Sequence, residues 1–157
     1  MFFSPLQIAY LVIPVIIVFI FSAIFPVGDD AGSSIYFRPP GWFFTFIWIV
    51  LLILFGLSWA LSDKTDVSKV GVNICYIVTL CLLIAWIILQ NKKVKKKIQA
   101  WVLFVTLMMS LYCYTLVKKN SKLCLVPLLT WVLFAIWMSI AEIIRIYPKK
   151  SIDVSNM

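Results

Sequence analysis

Long apolar runs alternate with short polar segments along the whole chain. The apolar runs cover residues 6–25, 42–61, 70–89, 100–117 and 123–144. The only acidic residue within them is Glu142. Each run has the roughly 20 residues that an α-helix needs to cross the ~30 Å hydrocarbon core of a bilayer. The pattern therefore predicts an all-α integral membrane protein with five transmembrane helices in a compact bundle.

The segments between the runs are short, and they leave no room for a separate soluble catalytic domain. We therefore expect residues 1–157 to form one membrane domain. Short connections make consecutive helices antiparallel, and we expect such helices to pack as neighbours. The first run has no basic segment ahead of it and is about twice as long as the apolar part of a signal peptide. We expect it to stay in the mature protein.

Composition agrees with a lipid environment, because 64% of the residues are hydrophobic and the mean hydropathy is +1.07. A net charge of +8 is also typical of proteins that bind nucleic acid. The densest basic run, residues 92–97, lies in a short connection between two spans. Lysines near anionic headgroups gain about 1 kcal/mol each. We interpret this run as a membrane anchor and expect no nucleic-acid partner.

Lysine and arginine also predict the orientation of the chain. Nine of the 14 lie on the side shared by the first connection, the third connection and the carboxyl-terminal tail, and five lie on the other side. Cytoplasmic loops carry the excess of these residues. The carboxyl terminus is therefore predicted to be cytosolic.

The ionisable and sulfur-containing side chains favour binding over catalysis. The chain has no histidine, which excludes Ser-His-Asp chemistry and removes the commonest transition-metal ligand. Glu142 and Arg145 are three residues apart and are expected to pair on the last helical turn. We predict no enzyme activity and no cofactor. We also expect neither a metal nor a disulfide at the four cysteines, which are Cys75, Cys81, Cys113 and Cys124.

Tryptophan is the main anomaly, with seven residues in the chain. Trp42, Trp59 and Trp101 lie near the ends of apolar runs, as residues of an interfacial aromatic belt do. The other four lie inside the runs, where an indole N–H must find a partner or line a polar cavity. These four indicate either a pocket for a flat apolar ligand or plain packing. They are Trp48, Trp86, Trp131 and Trp137.

Two ordered motifs contain several of these tryptophans. Residues 39–61 read PPGWFFTFIWIVLLILFGLSWAL, and residues 126–135 read VPLLTWVLFA. They resemble the helix-two pattern PPxWxFxxxWxxLYxxxG and the helix-five pattern PYxxWxxFA of the translocator protein family, also called tryptophan-rich sensory proteins or TspO/MBR. Trp86 and Trp101 stand where members of that family carry tryptophans in the third and fourth helices.

The chain departs from the family patterns at several polar positions. Two family tyrosines are replaced by Leu52 and Leu128, and two family asparagines are replaced by Leu83 and Ser139. The segment ahead of the prolines is shortened to SSIYFRPP. These changes remove hydrogen-bond donors from the cavity that the resemblance implies.

The resemblance implies a membrane receptor, sensor or carrier that binds flat hydrophobic ligands in the bundle, such as the tetrapyrroles protoporphyrin and haem, or sterols. By motif, the expected lining residues are Trp42, Phe44, Thr45, Ile47, Trp48, Trp101, Phe104, Met108, Trp131, Ala135 and Met138. In the family the first loop closes over the pocket. The expected hinge and lid support is therefore Arg38, Pro39, Pro40 and Gly41.

Other functions stay open at this point. The tryptophans could pack in a structural or channel-forming protein without a specific ligand. Porphyrin breakdown is suggested for some relatives and would use Trp48 and Trp131 as oxidisable rings. Sterol recognition has separate support from Leu107, Tyr112 and Lys118, which satisfy a weak cholesterol-binding pattern.

The resemblance also implies a homodimer. Gly56 and Ala60 are four residues apart and form a face of small side chains. Such a face allows two transmembrane helices to approach closely.

Overall fold

The computed structural model describes residues 4–26, 39–62, 69–92 and 95–146. Five α-helices account for nearly all of this part of the chain, and no strand occurs within it. All five are long and apolar enough to cross a membrane. The predicted all-α membrane fold is confirmed. The helices are α1 (Pro5–Ile24), α2 (Gly41–Ser62), α3 (Lys69–Asn91), α4 (Lys96–Leu116) and α5 (Lys119–Ile146).

The last two helices begin before the apolar runs do. α4 begins at Lys96 and α5 at Lys119, each four residues ahead of the corresponding run. Lysine is a good helix former, so the helical backbone continues beyond the point where the sequence becomes polar. Only Val117 and Lys118 separate the two helices.

A capping box fixes the start of α1. The Ser4 hydroxyl accepts a hydrogen bond from the Gln7 backbone N–H at 3.3 Å, and the Ser4 N–H donates to Gln7 Oε1 at 3.1 Å. Pro5 is the first helical residue, a position whose N–H has no partner within a helix. Gln7 Nε2 also donates to the Ala60 carbonyl at 3.1 Å. The start of α1 is therefore tied to α2.

The helices form a ring in the order α1, α2, α5, α4, α3, which closes where α3 meets α1. The backbone of α2 packs mainly against α1 and α5 and approaches that of α3 at few points, although side chains of α2 and α3 meet. The prediction that consecutive helices pack as neighbours is therefore wrong for α2 and α3. The physical reason is that α1 and α5 occupy both sides of α2, so that α3 lies across the ring from it.

Gly56 lets α1 lie directly against the backbone of α2. A Cβ atom at this position would lie 2.5 Å from the Leu11 carbonyl oxygen and 2.9 Å from that of Tyr10, closer than van der Waals contact allows. Ala60, one turn further along, is fully buried. The face of small residues is thus occupied by α1 of the same chain. A homodimer would have to use a different face.

A buried cluster ties the helices together at the end of the bundle where α2 ends and α3 begins. Trp59 is stacked between Tyr10 and Tyr76, with ring centroids 4.7 and 5.4 Å away. Ser58 Oγ donates to the Ser121 carbonyl at 2.8 Å and lies 2.7 Å from the Tyr76 hydroxyl. We call this the closed end. The opposite end, where α3 ends and α4 begins, is called the lysine-rich end.

Candidate functional site

The candidate site is built around two tryptophans that meet across the ring. Trp48 projects from α2 and Trp86 from α3, and their ring centroids are 6.0 Å apart with planes inclined by 36°. Both side chains are partly buried and pack against the hydrophobic core. Because the backbones of α2 and α3 approach each other at few points, these rings bridge the space between the two helices.

The indole nitrogen of Trp86 is buried and has no hydrogen-bond partner among the residues that the structure describes. The indole of Trp59 shows the usual arrangement, because its N–H donates to Asn73 Oδ1 at 2.7 Å. A buried donor without an acceptor loses its hydration and gains nothing in return. Trp86 was identified from its position inside an apolar run, but it was not among the predicted lining residues.

A second group of aromatic rings joins the start of α2 to the middle of α5. The Phe44 ring lies 5.6 Å from that of Trp131 in an edge-to-face arrangement, and the Phe43 ring lies 6.3 Å from it. Trp131 in turn contacts Phe134 at 5.4 Å. The structure therefore brings together Phe44 and Trp131, two of the predicted lining residues.

Four other predicted lining residues lie on α2 and α5. Ile47 is partly buried and packs against the core, whereas Thr45 is exposed. Ala135 is buried, and Met138 is partly buried. These positions flank the rings of Trp48 and Trp131 along their helices.

The predicted α4 residues lie on the exposed side of that helix. Trp101 is 67% exposed, Phe104 44% and Met108 43%, and the Trp101 and Phe104 rings contact each other at 5.8 Å. The buried side of α4 carries different residues. These are Gln99, Leu103, Thr106, Leu107, Ser110 and Cys113. The structure therefore does not place the α4 residues with those of α2, α3 and α5.

The predicted hinge falls partly within the described residues. Pro39 and Pro40 come directly before α2, and the Pro40 carbonyl accepts a hydrogen bond from the Phe43 N–H at 3.0 Å. Gly41 is the first residue of α2. Trp42 is 72% exposed at this helix start. Arg38 and the preceding loop residues lie outside the described ranges, so the lid stays a prediction.

Three of the family's polar positions are filled by core leucines in this chain. Leu52, Leu83 and Leu128 are almost completely buried. Ser139 keeps a hydroxyl, but it donates to the Ala135 carbonyl at 2.8 Å within the same helix. None of these four side chains therefore offers a donor to a ligand, which leaves the Trp86 N–H as the available buried donor among the described residues.

An ion pair joins two helices at the lysine-rich end. Lys96 Nζ lies 3.3 Å from Glu142 Oε1, which joins α4 to α5, and 3.4 Å from Gln90 Oε1 of α3. Arg145, the predicted partner of Glu142, has its side chain outside the described part. Lys92, Lys95 and Lys97 are exposed nearby in the sequence. The end of the bundle near Trp86 is therefore strongly basic.

The remaining predictions concern a tryptophan near a helix end, the cysteines and the cholesterol-binding pattern. Trp59 lies near a helix end as predicted, but it is 4% exposed and faces the core instead of the headgroups. The four cysteines are free thiols. In the cholesterol-binding pattern, Leu107 is buried whereas Tyr112 and Lys118 are exposed. Sterol recognition at this pattern stays a prediction.

Comparison with known proteins agrees with this architecture. The model of the TspO/MBR family matches residues 11–144, which extend from α1 to α5. The tryptophan-rich protein TspO of Chlorobaculum tepidum is 26% identical over 108 residues, which cover 65% of this chain and 68% of that protein. The family match covers most of the chain and confirms the resemblance seen in the two motifs. The chain therefore belongs to the TspO/MBR family of membrane proteins.

Proposed function

We propose that this protein is a membrane sensor or carrier that binds flat hydrophobic ligands within the helix bundle. Tetrapyrroles such as protoporphyrin and haem are the proposed ligand class. The proposed site lies between α2, α3 and α5, on the side of the bundle towards the lysine-rich end.

The contact between Trp48 and Trp86 is the observation that carries this proposal. Two large aromatic rings meet between α2 and α3, whose backbones approach each other at few points. Aromatic pairs contribute about 0.5–1.5 kcal/mol beyond the area that they bury. A flat conjugated ligand can replace such a contact with stacking on both rings, so this space suits a planar molecule.

The aromatic rings at the start of α2 support the same ligand class. Phe44 of α2 and Trp131 of α5 form an edge-to-face pair. Tryptophan and phenylalanine give large contact areas to ligands at a low cost in side-chain entropy. We propose that a large planar ligand contacts both aromatic groups.

We propose binding without catalysis. The chain has no histidine to act as a general base. The acidic side chain nearest to this end in the described part, Glu142, is held by Lys96. Trp48 and Trp131 are therefore proposed to contact the ligand without being oxidised.

Protoporphyrin titration of the protein in nanodiscs tests this proposal through tryptophan fluorescence. We expect saturable quenching of the wild type. The double variant Trp48→Ala and Trp131→Ala should bind at least about tenfold more weakly, because two ring contacts are lost. Trp137→Ala is the matched control, since Trp137 is an exposed tryptophan of α5. Quenching that does not saturate, or that the double variant leaves unchanged, would favour a structural role for these tryptophans.

A further inference from the structure

We propose that the Trp86 N–H anchors the ligand through a hydrogen bond to an oxygen acceptor at the ligand's edge. This inference rests on the proposed function and specifies its chemistry. The ligand is then a flat apolar molecule that carries a carboxylate or carbonyl group, and Trp86 is a residue that selects for that group.

The environment of the Trp86 indole nitrogen is the first observation that supports this hydrogen bond. The nitrogen is buried and has no partner among the described residues, while the Trp86 ring lies 6.0 Å from that of Trp48. Leaving a buried donor unsatisfied costs free energy, and each such donor in a native structure requires an explanation, which here is a bound molecule that completes the hydrogen bond.

The neighbouring polar side chains do not satisfy this donor. Gln90 lies one turn further along α3, and its Oε1 interacts with Lys96 Nζ. Gln99 Nε2 donates to the Leu89 carbonyl at 3.1 Å. The position one turn before Trp86 is Leu83, which is apolar and fully packed.

The charge of this end indicates the chemical class of the acceptor. Lys96 interacts with the residue one turn beyond Trp86, and the exposed Lys92, Lys95 and Lys97 follow in sequence. A positive potential at a membrane interface attracts anionic groups. A carboxylate at the ligand's edge would therefore face the lysine-rich end while its apolar ring system stacks on Trp48 and Trp86.

The test compares two tetrapyrroles in Trp86→Phe, which removes the N–H but keeps an aromatic ring. Protoporphyrin IX carries two carboxylates, whereas octaethylporphyrin carries only alkyl groups and has no oxygen. We expect Trp86→Phe to weaken protoporphyrin IX binding about tenfold. Its affinity for octaethylporphyrin should stay within about twofold of wild type. Trp137→Phe should change neither affinity. Equal losses for both ligands, or no loss for either, would overturn the anchor.

Nuclear magnetic resonance of protein labelled with ¹⁵N-tryptophan gives a readout that is independent of affinity. The indole resonance of Trp86 is identified by its disappearance in Trp86→Phe. Both porphyrins shift this resonance through their ring currents, so we compare the two complexes. We expect the resonance to lie further downfield with protoporphyrin IX than with octaethylporphyrin, because only protoporphyrin IX accepts the hydrogen bond. An indole already hydrogen-bonded without ligand would also overturn the anchor. If the wild type binds neither tetrapyrrole, the proposed function itself fails.

Discussion

Gly56 is the residue on which the packing of α1 against α2 depends most directly. We expect Gly56→Ala to destabilise the protein, because the added methyl group would overlap the Leu11 and Tyr10 carbonyl oxygens. These atoms belong to the α1 backbone, so they cannot move without shifting the helix. Overpacking of this kind typically costs about 1–3 kcal/mol. Thermal denaturation in detergent, followed by circular dichroism, should show a lower midpoint.

Gly71→Ala is the matched control for this prediction. Gly71 is also a helical glycine, but it lies in the first turn of α3 and is partly exposed. Alanine is a better helix former than glycine by about 1 kcal/mol. We therefore expect this variant to be at least as stable as wild type. If both variants denature at the wild-type midpoint, the close approach of α1 to Gly56 does not contribute to stability.

At the scale of the helices, the sequence predicts where each membrane span lies. It predicts poorly which side of each helix faces the bundle. Span length follows from bilayer thickness, so five apolar runs suffice to predict five helices. Hydropathy does not separate the side facing lipid from the side facing the bundle, because both are apolar. The ring order, in which α5 and not α3 lies beside α2, is therefore not encoded in the hydrophobic pattern.

The sequence of α4 contains a signal that predicts which side of this helix faces the bundle. Trp101, Phe104 and Met108 were selected by motif and by helical spacing, and they lie on the exposed side. Small and polar side chains mark the buried side, where Gln99 and Thr106 each make a hydrogen bond. Polar residues in transmembrane helices usually face the protein interior. Their spacing would have predicted the orientation of α4 better than the aromatic residues did.

The start of α2 is held differently from the other helix ends near the lysine-rich end. Gln99 ties α4 to α3, and Lys96 with Glu142 ties α4 to α5. The first turn of α2 instead contacts α5 through the rings of Phe43 and Phe44 on Trp131. The position of the start of α2 therefore depends on aromatic packing against α5.

Replacement of Pro39 and Pro40 by alanine tests whether this helix start supports a lid. Without the prolines α2 can extend towards its amino terminus and move Trp42 away from the site. We expect the protoporphyrin off-rate to rise about tenfold, equal to about 1.4 kcal/mol, because a closing element mainly sets residence time. Stopped-flow displacement measures this rate.

Pro5→Ala is the matched control for the double proline variant, since Pro5 also lies at the start of a transmembrane helix, in its first turn. It lies at the start of α1, where we expect no effect on ligand dissociation. Helix content should be close to wild type in both variants. An unchanged off-rate in a well-folded double variant would mean that the prolines serve only as a helix start.

At the scale of the whole molecule, the distribution of positive charge is the feature that predicts orientation. α3 ends and α4 begins in a cluster of lysines, of which Lys92, Lys95 and Lys97 are exposed. Lys96 pairs with Glu142 and thereby joins two helices. A change of orientation can therefore be separated from a change of packing by leaving Lys96 in place.

Neutralising Lys92, Lys93, Lys95 and Lys97 to glutamine lowers the lysine and arginine count on the predicted cytosolic side from nine to five, equal to the other side. Since the excess of these residues sets orientation, we expect a mixture of two orientations in place of one. Protease protection of a carboxyl-terminal tag in sealed vesicles measures the mixture. Neutralising Lys118, Lys119 and Lys122 is the control, because it increases the bias and should keep the tag cytosolic. If protease protection shows that the carboxyl-terminal tag of the wild type is not cytosolic, the predicted orientation is wrong.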